Sequence, residues 1–455
     1  VSYHIFMIDP SIFRSYDIRG VYPEAINEFL AEKVGFAVVK NLKAKEVVVG
    51  RDMRLSSPAL FASLVKGINQ AGADVVDIGM VPTPVTYFAV VHLKAKAGIM
   101  ISASHNPPEY NGFKIVGKKA IQLSKESGIE DIKKIVLEGA QKNEGEKGKV
   151  KKFDISCAYY SHILRFVKPT TRRLKVVIDA GNGMGGDFFK PVFEKLNIDY
   201  IPMYFEPNGT YPNHPANPAE YENLTHLIKK VKRVKADLGV AFDGDADRAI
   251  FIDENGVLVR PDVYLALLAE QELKNHKNKK VYYDLRFSKV VVEALRGAGA
   301  QVIRTRVGNP YYKQRLIGEG GTMAAELSGH IMFADGFGLD DGLLPVVKLV
   351  NFLGNQKKTF SSLATKLRAG AASPGEINLK VKDSKKVLEA LEKKYGVMGK
   401  IDKLDGLTVT AKDWWFNVRA SNTEPVIRLT LETKPDEKFM AEKKEEILRE
   451  IKKVN

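Results

Sequence analysis

Three carboxylates stand at alternate positions in the run Asp243-Gly244-Asp245-Ala246-Asp247-Arg248. The run lies between two apolar stretches, Leu238–Phe242 and Ala249–Ile252, which read as strands. In so short a loop the three charges repel one another, and a cation relieves that repulsion. Donors that are all oxygen select a hard ion, Mg²⁺ before Zn²⁺. A calcium EF-hand would also use Asp243, Asp245, Asp247, Ile250 and Glu254, but its sixth position needs glycine and finds Arg248. A merely solvated acidic turn is the plain alternative, and the arginine and apolar flanks argue against it. The run is read as a Mg²⁺ site.

A second reactive stretch is Ile101-Ser102-Ala103-Ser104-His105-Asn106-Pro107-Pro108, which follows the apolar run Ala97–Ile101. The strand stops at Asn-Pro-Pro, a stiff turn. Ser104 stands there beside His105, with Gly112 and Lys114 following. Either Ser104 is a nucleophile or the stretch is a polar turn without chemistry; alone it does not decide.

Further motifs carry polar groups at readable spacings. Gly181-Asn182-Gly183-Met184-Gly185-Gly186 matches the dinucleotide pattern GxGxxG, with Glu206 as the ribose acid, but an acidic metal loop has no place in hydride transfer. It is read as a structural glycine turn. Glu326-Leu327-Ser328-Gly329-His330 puts a carboxylate, a hydroxyl and an imidazole at alternate positions, which in an extended segment face one way. They could hold sugar hydroxyls or simply satisfy one another. Asp340-Asp341-Gly342 fits a helix cap. Arg419-Ala420-Ser421-Asn422-Thr423-Glu424-Pro425 clusters a guanidinium, two hydroxyls and an amide between two strands, a cradle for phosphate oxygens. Arg19, in Phe13-Arg14-Ser15-Tyr16-Asp17-Ile18-Arg19-Gly20, adds an anion contact or belongs to a surface loop.

The elements that position these residues repeat. A short apolar strand, a polar loop, a helical segment and a second strand recur from Glu46, from Lys175 and from Lys280. This is the βαβ pattern of a mainly parallel sheet covered by helices. After Gly370–Pro374 the pattern changes to close-spaced strands, Gly406–Ala411, Trp414–Val418 and Ile427–Thr433, and a closing amphipathic helix, Glu437–Val454. The fold class is therefore α/β: three related α/β domains with mainly parallel mixed sheets, plus a smaller C-terminal α+β domain. The divisions fall at 1–150, 151–255, 256–370 and 371–455.

The 455 residues are 44% hydrophobic and 27% charged, and none of the apolar stretches is long enough to span a membrane. Val1–Ile5 shows no basic segment leading into an apolar core, so no signal peptide is expected. A lone cysteine, Cys157, fits a reducing compartment, and the protein is read as a cytoplasmic monomer. The net charge of +15 raises nucleic acid as a partner. The lysines, however, fall in runs such as Lys147–Lys152 and Lys277–Lys280, without any helix-turn-helix, zinc-finger or aromatic RNA-binding signature. Anionic small molecules are favoured, with no nucleic-acid or membrane partner.

Five stretches together, FRSYDIRG, SASHNP with NGFK, DGDADR, ELSGH and RASNTEP, resemble the α-D-phosphohexomutase superfamily, in its bacterial phosphomannomutase/phosphoglucomutase branch. They occur in the family's order across the whole chain. The resemblance implies four domains around a central active-site cleft, and a phosphoserine at Ser104. It implies Mg²⁺ on Asp243, Asp245 and Asp247 together with the Ser104 phosphate, and Arg19, His105, Lys114 and Arg248 at the transfer site, with Lys114 or His105 handling protons. Glu326 and Ser328 would bind sugar hydroxyls with His330 nearby, and Tyr16, Arg286 and Asn309 would contact the phosphosugar. Arg419, Ser421, Asn422 and Thr423 would clamp the phosphate that does not react. The implied reaction interconverts hexose 1-phosphate and hexose 6-phosphate through a hexose 1,6-bisphosphate. Ser102 replaces the family's threonine, Arg286 and Asn309 replace lysine and histidine contacts, and Ala325 replaces glycine, which leaves the sugar open. RASNTEP, rather than RPSGTEP, favours glucose or mannose over glucosamine phosphate. A non-catalytic sugar-phosphate or nucleic-acid binding protein is the alternative of another class.

Overall fold

A computed structural model describes residues 8–138, 147–420 and 426–454. The chain builds four sheets in succession. The first has six strands in the order Ile18–Val21, Tyr110–Val116, Ala97–Ile101, Glu46–Arg51, Asp74–Met80 and Val150–Lys152. Its inner strands pair in parallel, and Tyr110–Val116 runs antiparallel to its neighbours. Val47, Val48 and Val49 are wholly buried, as an unbroken apolar run must be when helices cover both faces. The second sheet orders Leu258–Val259, Ala249–Asp253, Leu238–Phe242, Leu174–Asp179 and Ile198–Met203. The third orders Gln301–Thr305, Lys280–Asp284, Met323–Ala325 and Ile331–Phe333. Both of these are mixed, with parallel pairs at the centre.

The fourth sheet is antiparallel throughout: Glu376–Lys380, Val426–Thr433, Trp414–Ala420, Leu407–Thr410 and Lys400–Asp402. Two of its strands, Glu376–Lys380 and Lys400–Asp402, and the helix Ser384–Tyr395 went unread in the sequence. The two strands are short and hold two and one apolar residues, and the helix buries only the narrow stripe Val387, Leu391 and Tyr395. The helical segment of the repeat that begins at Lys175 is only one turn, Lys190–Phe193, with Pro191 in it keeping the helix from starting earlier.

One apolar cluster runs through the first three units. It includes Tyr87 and Phe88 of the helix Thr83–His92, Tyr159, Phe189 and Phe242 of the second unit, and Val281 and Leu343 of the third. The fourth unit keeps a core of its own, with Tyr395, Trp414, Phe416 and Leu429. Among the described residues, none of the helices is long and apolar enough to cross a membrane.

Candidate active site

The reactive residues follow the carboxyl ends of central strands, where α/β sheets open a crevice for ligands. Ser104 follows Ala97–Ile101, Asp243 follows Leu238–Phe242, Arg286 follows Lys280–Asp284, and Glu326 follows Met323–Ala325. Contacts link these loops in a line: Ser104 to Asp243, Asp247 to His330, Glu326 to Arg286, and Arg286 to Glu376 of the fourth unit.

Ser104 is the centre of the first link. Its φ of +52° lies in the left-handed region, rare for a residue with a side chain. Its hydroxyl donates to Asp243 Oδ2 at 2.9 Å, receives Arg248 Nη2 at 3.1 Å and lies 3.2 Å from His105 Nδ1. Arg248 also contacts His105 Nδ1 and donates from Nε to Asp243 Oδ2 at 2.8 Å. Burial, with Arg248, Arg19 and Lys114 around it, holds the His105 imidazole well below its usual pKa. His105 is therefore neutral, with Nδ1 turned to donors. Arg19 stands one step out, 2.5 Å from Asp17 and 2.6 Å from Asn106.

Asp243, Asp245 and Asp247 are at most 1% exposed, and one oxygen of each falls within 4.8 Å of the others. Lys114 Nζ binds Asp245 Oδ2 at 2.5 Å and Asp247 Oδ2 at 2.6 Å. Burial pushes Asp243 up to about 7, and the neighbouring Asp247 and Asp245 charges add to the rise while Arg248 opposes it. Burial works most strongly against the charged forms of Asp245 and Asp247, but Lys114 with Thr83 at Asp245, and Lys114 with His330 and Arg248 at Asp247, together hold both below the usual carboxylate range. Asp245 Oδ1 is buried without a hydrogen-bond partner, and Asp247 Oδ1 is met by His330 Nε2 at 3.3 Å. Three converging carboxylates with spare lone pairs fit a hard divalent cation. A second trio, Glu272, His276 and Asp335, is already neutralised by Lys348 Nζ at 2.7 Å from Glu272 and 2.9 Å from Asp335.

The stretch 326–330 corrects an expectation. It is a turn with Gly329 at φ +101°, not an extended segment, and its groups meet because the chain folds back. Glu326 N–H donates to His330 O at 2.9 Å, and His330 Nδ1 lies 3.2 Å from Glu326 Oε2 and 3.0 Å from Ser328 Oγ. His330 Nε2 is 3.3 Å from Asp247 Oδ1. Burial opposes the imidazolium, but Asp247 and Glu326 on either side push its pKa up to about 10.

Arg286 clasps Asp284 and reaches Glu326 at 3.4 Å and Glu376 at 3.2 Å. Glu376 also receives Arg419 at 2.8 Å and Arg428 at 3.4 Å. Asn309 opens the helix Asn309–Gly318, and its Oδ1 is buried without a partner. A side chain on the preceding Gly308 would stand 3.6 Å from the Tyr16 ring, so Tyr16 lies against the residue before Asn309. Ser421, Asn422 and Thr423 lie outside the described residues.

Three contributors escaped sequence reasoning. Thr83 Oγ1 donates to Asp245 Oδ2 at 2.5 Å. Glu376 gathers the arginines, and Arg54 braces the serine loop from beneath. Thr83 and Glu376 stand outside any polar cluster, and Arg54, in Arg51-Asp52-Met53-Arg54 after a strand, shows nothing in the sequence of the distant loop it grips. The glycine turn at 181–186 proves to be a brace: Met184 N–H donates to Gly244 O at 2.9 Å, and a Cβ at Gly183 would strike that carbonyl at 2.6 Å. Asp341 caps the helix Leu343–Leu353, accepting from Leu343 N–H at 2.9 Å.

Four family models match in succession. Those for Phosphoglucomutase/phosphomannomutase alpha/beta/alpha domains I, II and III cover residues 10–143, 157–256 and 260–369. That for the C-terminal domain covers 376–449. The chain is 36% identical over 442 residues to the phosphomannomutase/phosphoglucomutase of Pseudomonas aeruginosa, covering 94% of this chain and 93% of that one. The chain belongs to the phosphoglucomutase/phosphomannomutase family. It is also 34% identical over 438 residues to phosphohexose mutases of Xanthomonas campestris, covering 96% and 98%. Among solved structures, a phosphoglucomutase/phosphomannomutase family protein of Burkholderia thailandensis superposes with a TM-score of 0.90 at 33% identity, covering 98% of each chain.

Proposed function

We propose that this enzyme interconverts hexose 1-phosphates and hexose 6-phosphates, of glucose, mannose or both, through a phosphoserine at Ser104 and a hexose 1,6-bisphosphate. The observation that carries this reading is the placing of the Ser104 hydroxyl, 2.9 Å from Asp243 and 3.1 Å from Arg248. A nucleophile facing a metal-type carboxylate cluster and a buried guanidinium is arranged for phosphoryl transfer, where alignment and charge neutralisation supply most of the catalysis.

Asp243, Asp245 and Asp247 would hold Mg²⁺, which when bound neutralises charge on the oxygens of the transferring phosphoryl group. The chain's own groups do the rest. Ser104 gives its phosphoryl group to the free hydroxyl of the substrate and takes back the other phosphate after the bisphosphate turns end for end. His105, 3.2 Å from the Ser104 hydroxyl, or Lys114 handles the proton that the serine releases when it attacks. Lys114 and His330, both held protonated by the carboxylates around them, offset charge on the phosphoryl oxygens and donate protons. Arg19 and Arg248 orient that group. Glu326 and Ser328 bind sugar hydroxyls beside Tyr16, Arg286 and Asn309. Arg419, with Ser421, Asn422 and Thr423, holds the distal phosphate.

The division at 1–150, 151–255, 256–370 and 371–455 gives each unit one of these tasks. The enzyme acts as a cytoplasmic monomer on phosphosugars, with no nucleic-acid or membrane partner. The decisive assay supplies glucose 1-phosphate, mannose 1-phosphate or glucosamine 1-phosphate with Mg²⁺ and a trace of the 1,6-bisphosphate. The 6-phosphate should form from glucose or mannose and far more slowly from glucosamine. No 6-phosphate from any of the three would reject a mutase. Ser104→Ala should lose both turnover and the labile phosphate seen by intact mass.

A further inference from the structure

Arg54 is a large charged side chain with 1% exposure, and no step of the proposed reaction uses it. Its guanidinium donates to five acceptors. Nη1 reaches Pro107 O at 2.6 Å and Tyr110 O at 2.8 Å. Nη2 reaches Asn106 O at 2.6 Å, Ser104 O at 3.0 Å and the Tyr211 hydroxyl at 3.2 Å. Its charge is met by Asp52, 3.2 Å from Nε, so the residue is a paired cation spending its donors on one loop's carbonyls. That loop carries Ser104.

The carbonyl directions constrain the N–H directions. In a trans peptide the N–H points opposite to the C=O of the same unit. The Ser104 carbonyl is turned into Arg54. The same side is sealed by the metal loop and Tyr211, since a Cβ on Gly244 would fall 2.5 Å from that oxygen and 2.6 Å from the Tyr211 hydroxyl. The N–H of that unit, on His105, therefore faces the other way. No acceptor meets it among the described residues. The next two carbonyls held by Arg54, those of Asn106 and Pro107, precede Pro107 and Pro108, which have no N–H at all. Ser104 N–H is engaged by Ser102 Oγ at 2.9 Å. Directly after the serine the loop thus presents a free backbone donor, the His105 N–H.

We propose that Arg54 is a positioning residue for phosphoryl transfer: by gripping the carbonyls of the serine loop together with Tyr211, it aims the His105 N–H at an oxygen of the phosphoryl group carried on Ser104. This rests on Ser104 being the phosphoryl carrier. A backbone donor fixed in place needs no reorganisation when charge develops on that group. The left-handed Ser104 backbone is the conformation the grip enforces.

The test uses the full chain labelled with ¹⁵N-histidine, of which the sequence has eight. The His105 amide is assigned by substitution, and Ser104 is phosphorylated with glucose 1,6-bisphosphate and Mg²⁺. Intact mass reports the phosphoryl group independently of the amide. In the wild type the His105 amide proton should move downfield on phosphorylation and return on removal of the phosphate. Arg54→Lys, which keeps the charge and loses the fork, should lower kcat about 100-fold with KM little changed, and should weaken or abolish that amide shift. Tyr211→Phe, removing one hydroxyl, should move both readouts the same way by less. A phosphorylated wild type whose His105 amide does not move overturns the proposal, as does a folded Arg54→Lys with wild-type kcat and amide shift. Should Arg54→Lys fail to fold, wild-type values in Tyr211→Phe overturn it. A wild type that takes up no phosphoryl group overturns the Ser104 reading instead.

Discussion

Lys114→Met separates the electrostatic role of Lys114 from its proposed chemical one. The ammonium lies 2.5 Å from Asp245 Oδ2 and 2.6 Å from Asp247 Oδ2, and all three groups are buried. At an effective dielectric near 20, each contact is worth about 6 kcal/mol of Coulomb attraction, most of it cancelled by desolvation. Removing one partner leaves the carboxylates buried and uncompensated, and we expect a loss of about 3–5 kcal/mol in unfolding free energy in EDTA. Mg²⁺ at about 100 times its Kd should return about 2.7 kcal/mol. The wild type should gain less, because there the ion competes with Lys114 for the same oxygens. The pH dependence has a definite sign. Asp245 and Asp247 have depressed folded pKa values, so the stability they contribute is present above about pH 4 and lost as pH falls through the folded values. The deficit of Lys114→Met should therefore shrink in acid. Turnover should stay lost in saturating Mg²⁺. Urea titrations with EDTA and with Mg²⁺ decide the matter: equal stability of the two proteins in EDTA, or equal gains from Mg²⁺, would refute the reasoning.

Thr83→Val removes the hydroxyl that donates to Asp245 at 2.5 Å, and should weaken Mg²⁺ binding about 10–100-fold by calorimetry with little change in melting. Gly244→Ala would place a methyl 2.5 Å from Ser104 O, parting the serine and metal loops; kcat should fall about 100-fold, measured with saturating Mg²⁺. Burial raises Asp341 to about 6 against the hydrogen bonds from Tyr159 and the helix N–H groups. A raised carboxyl stabilises below its unfolded value and loses that contribution as pH climbs from about 4 to 6. Asp341→Asn should thus match the wild type near pH 4 and exceed it by up to about 3 kcal/mol at pH 8, with equal stability at both pH values counting against it.

The motifs that could be read in the sequence are those whose chemistry is local. Asp243, Asp245 and Asp247 share one loop, and their repulsion is visible in the spacing alone. Ser104 sits where an apolar strand meets two prolines, and the βαβ repeats announce themselves by valine-rich runs. What stayed hidden depends on distant partners. Thr83 opens a helix in the first unit, yet its hydroxyl belongs to a carboxylate 162 residues on. Glu376 begins an unremarked strand and meets Arg286 across 90 residues. The alternation in Glu326-Leu327-Ser328-Gly329-His330 suggested a shared face, but Gly329 turns the chain, so the right groups meet for a different reason.

The first three units share one apolar cluster, whereas the fourth has a separate core and meets Arg286 through Glu376. An apolar seam opens only by exposing surface that water disfavours. A joint made of guanidinium and carboxylate exposes charged groups that water solvates when it parts, and salt screens the attraction between the parted faces. On the proposed reaction, in which Arg419 holds the distal phosphate, such a joint lets the fourth unit release and regrip the sugar while the serine loop and the Asp243–Asp247 loop stay packed against each other. Raised ionic strength should loosen that grip before it disturbs the reaction centre.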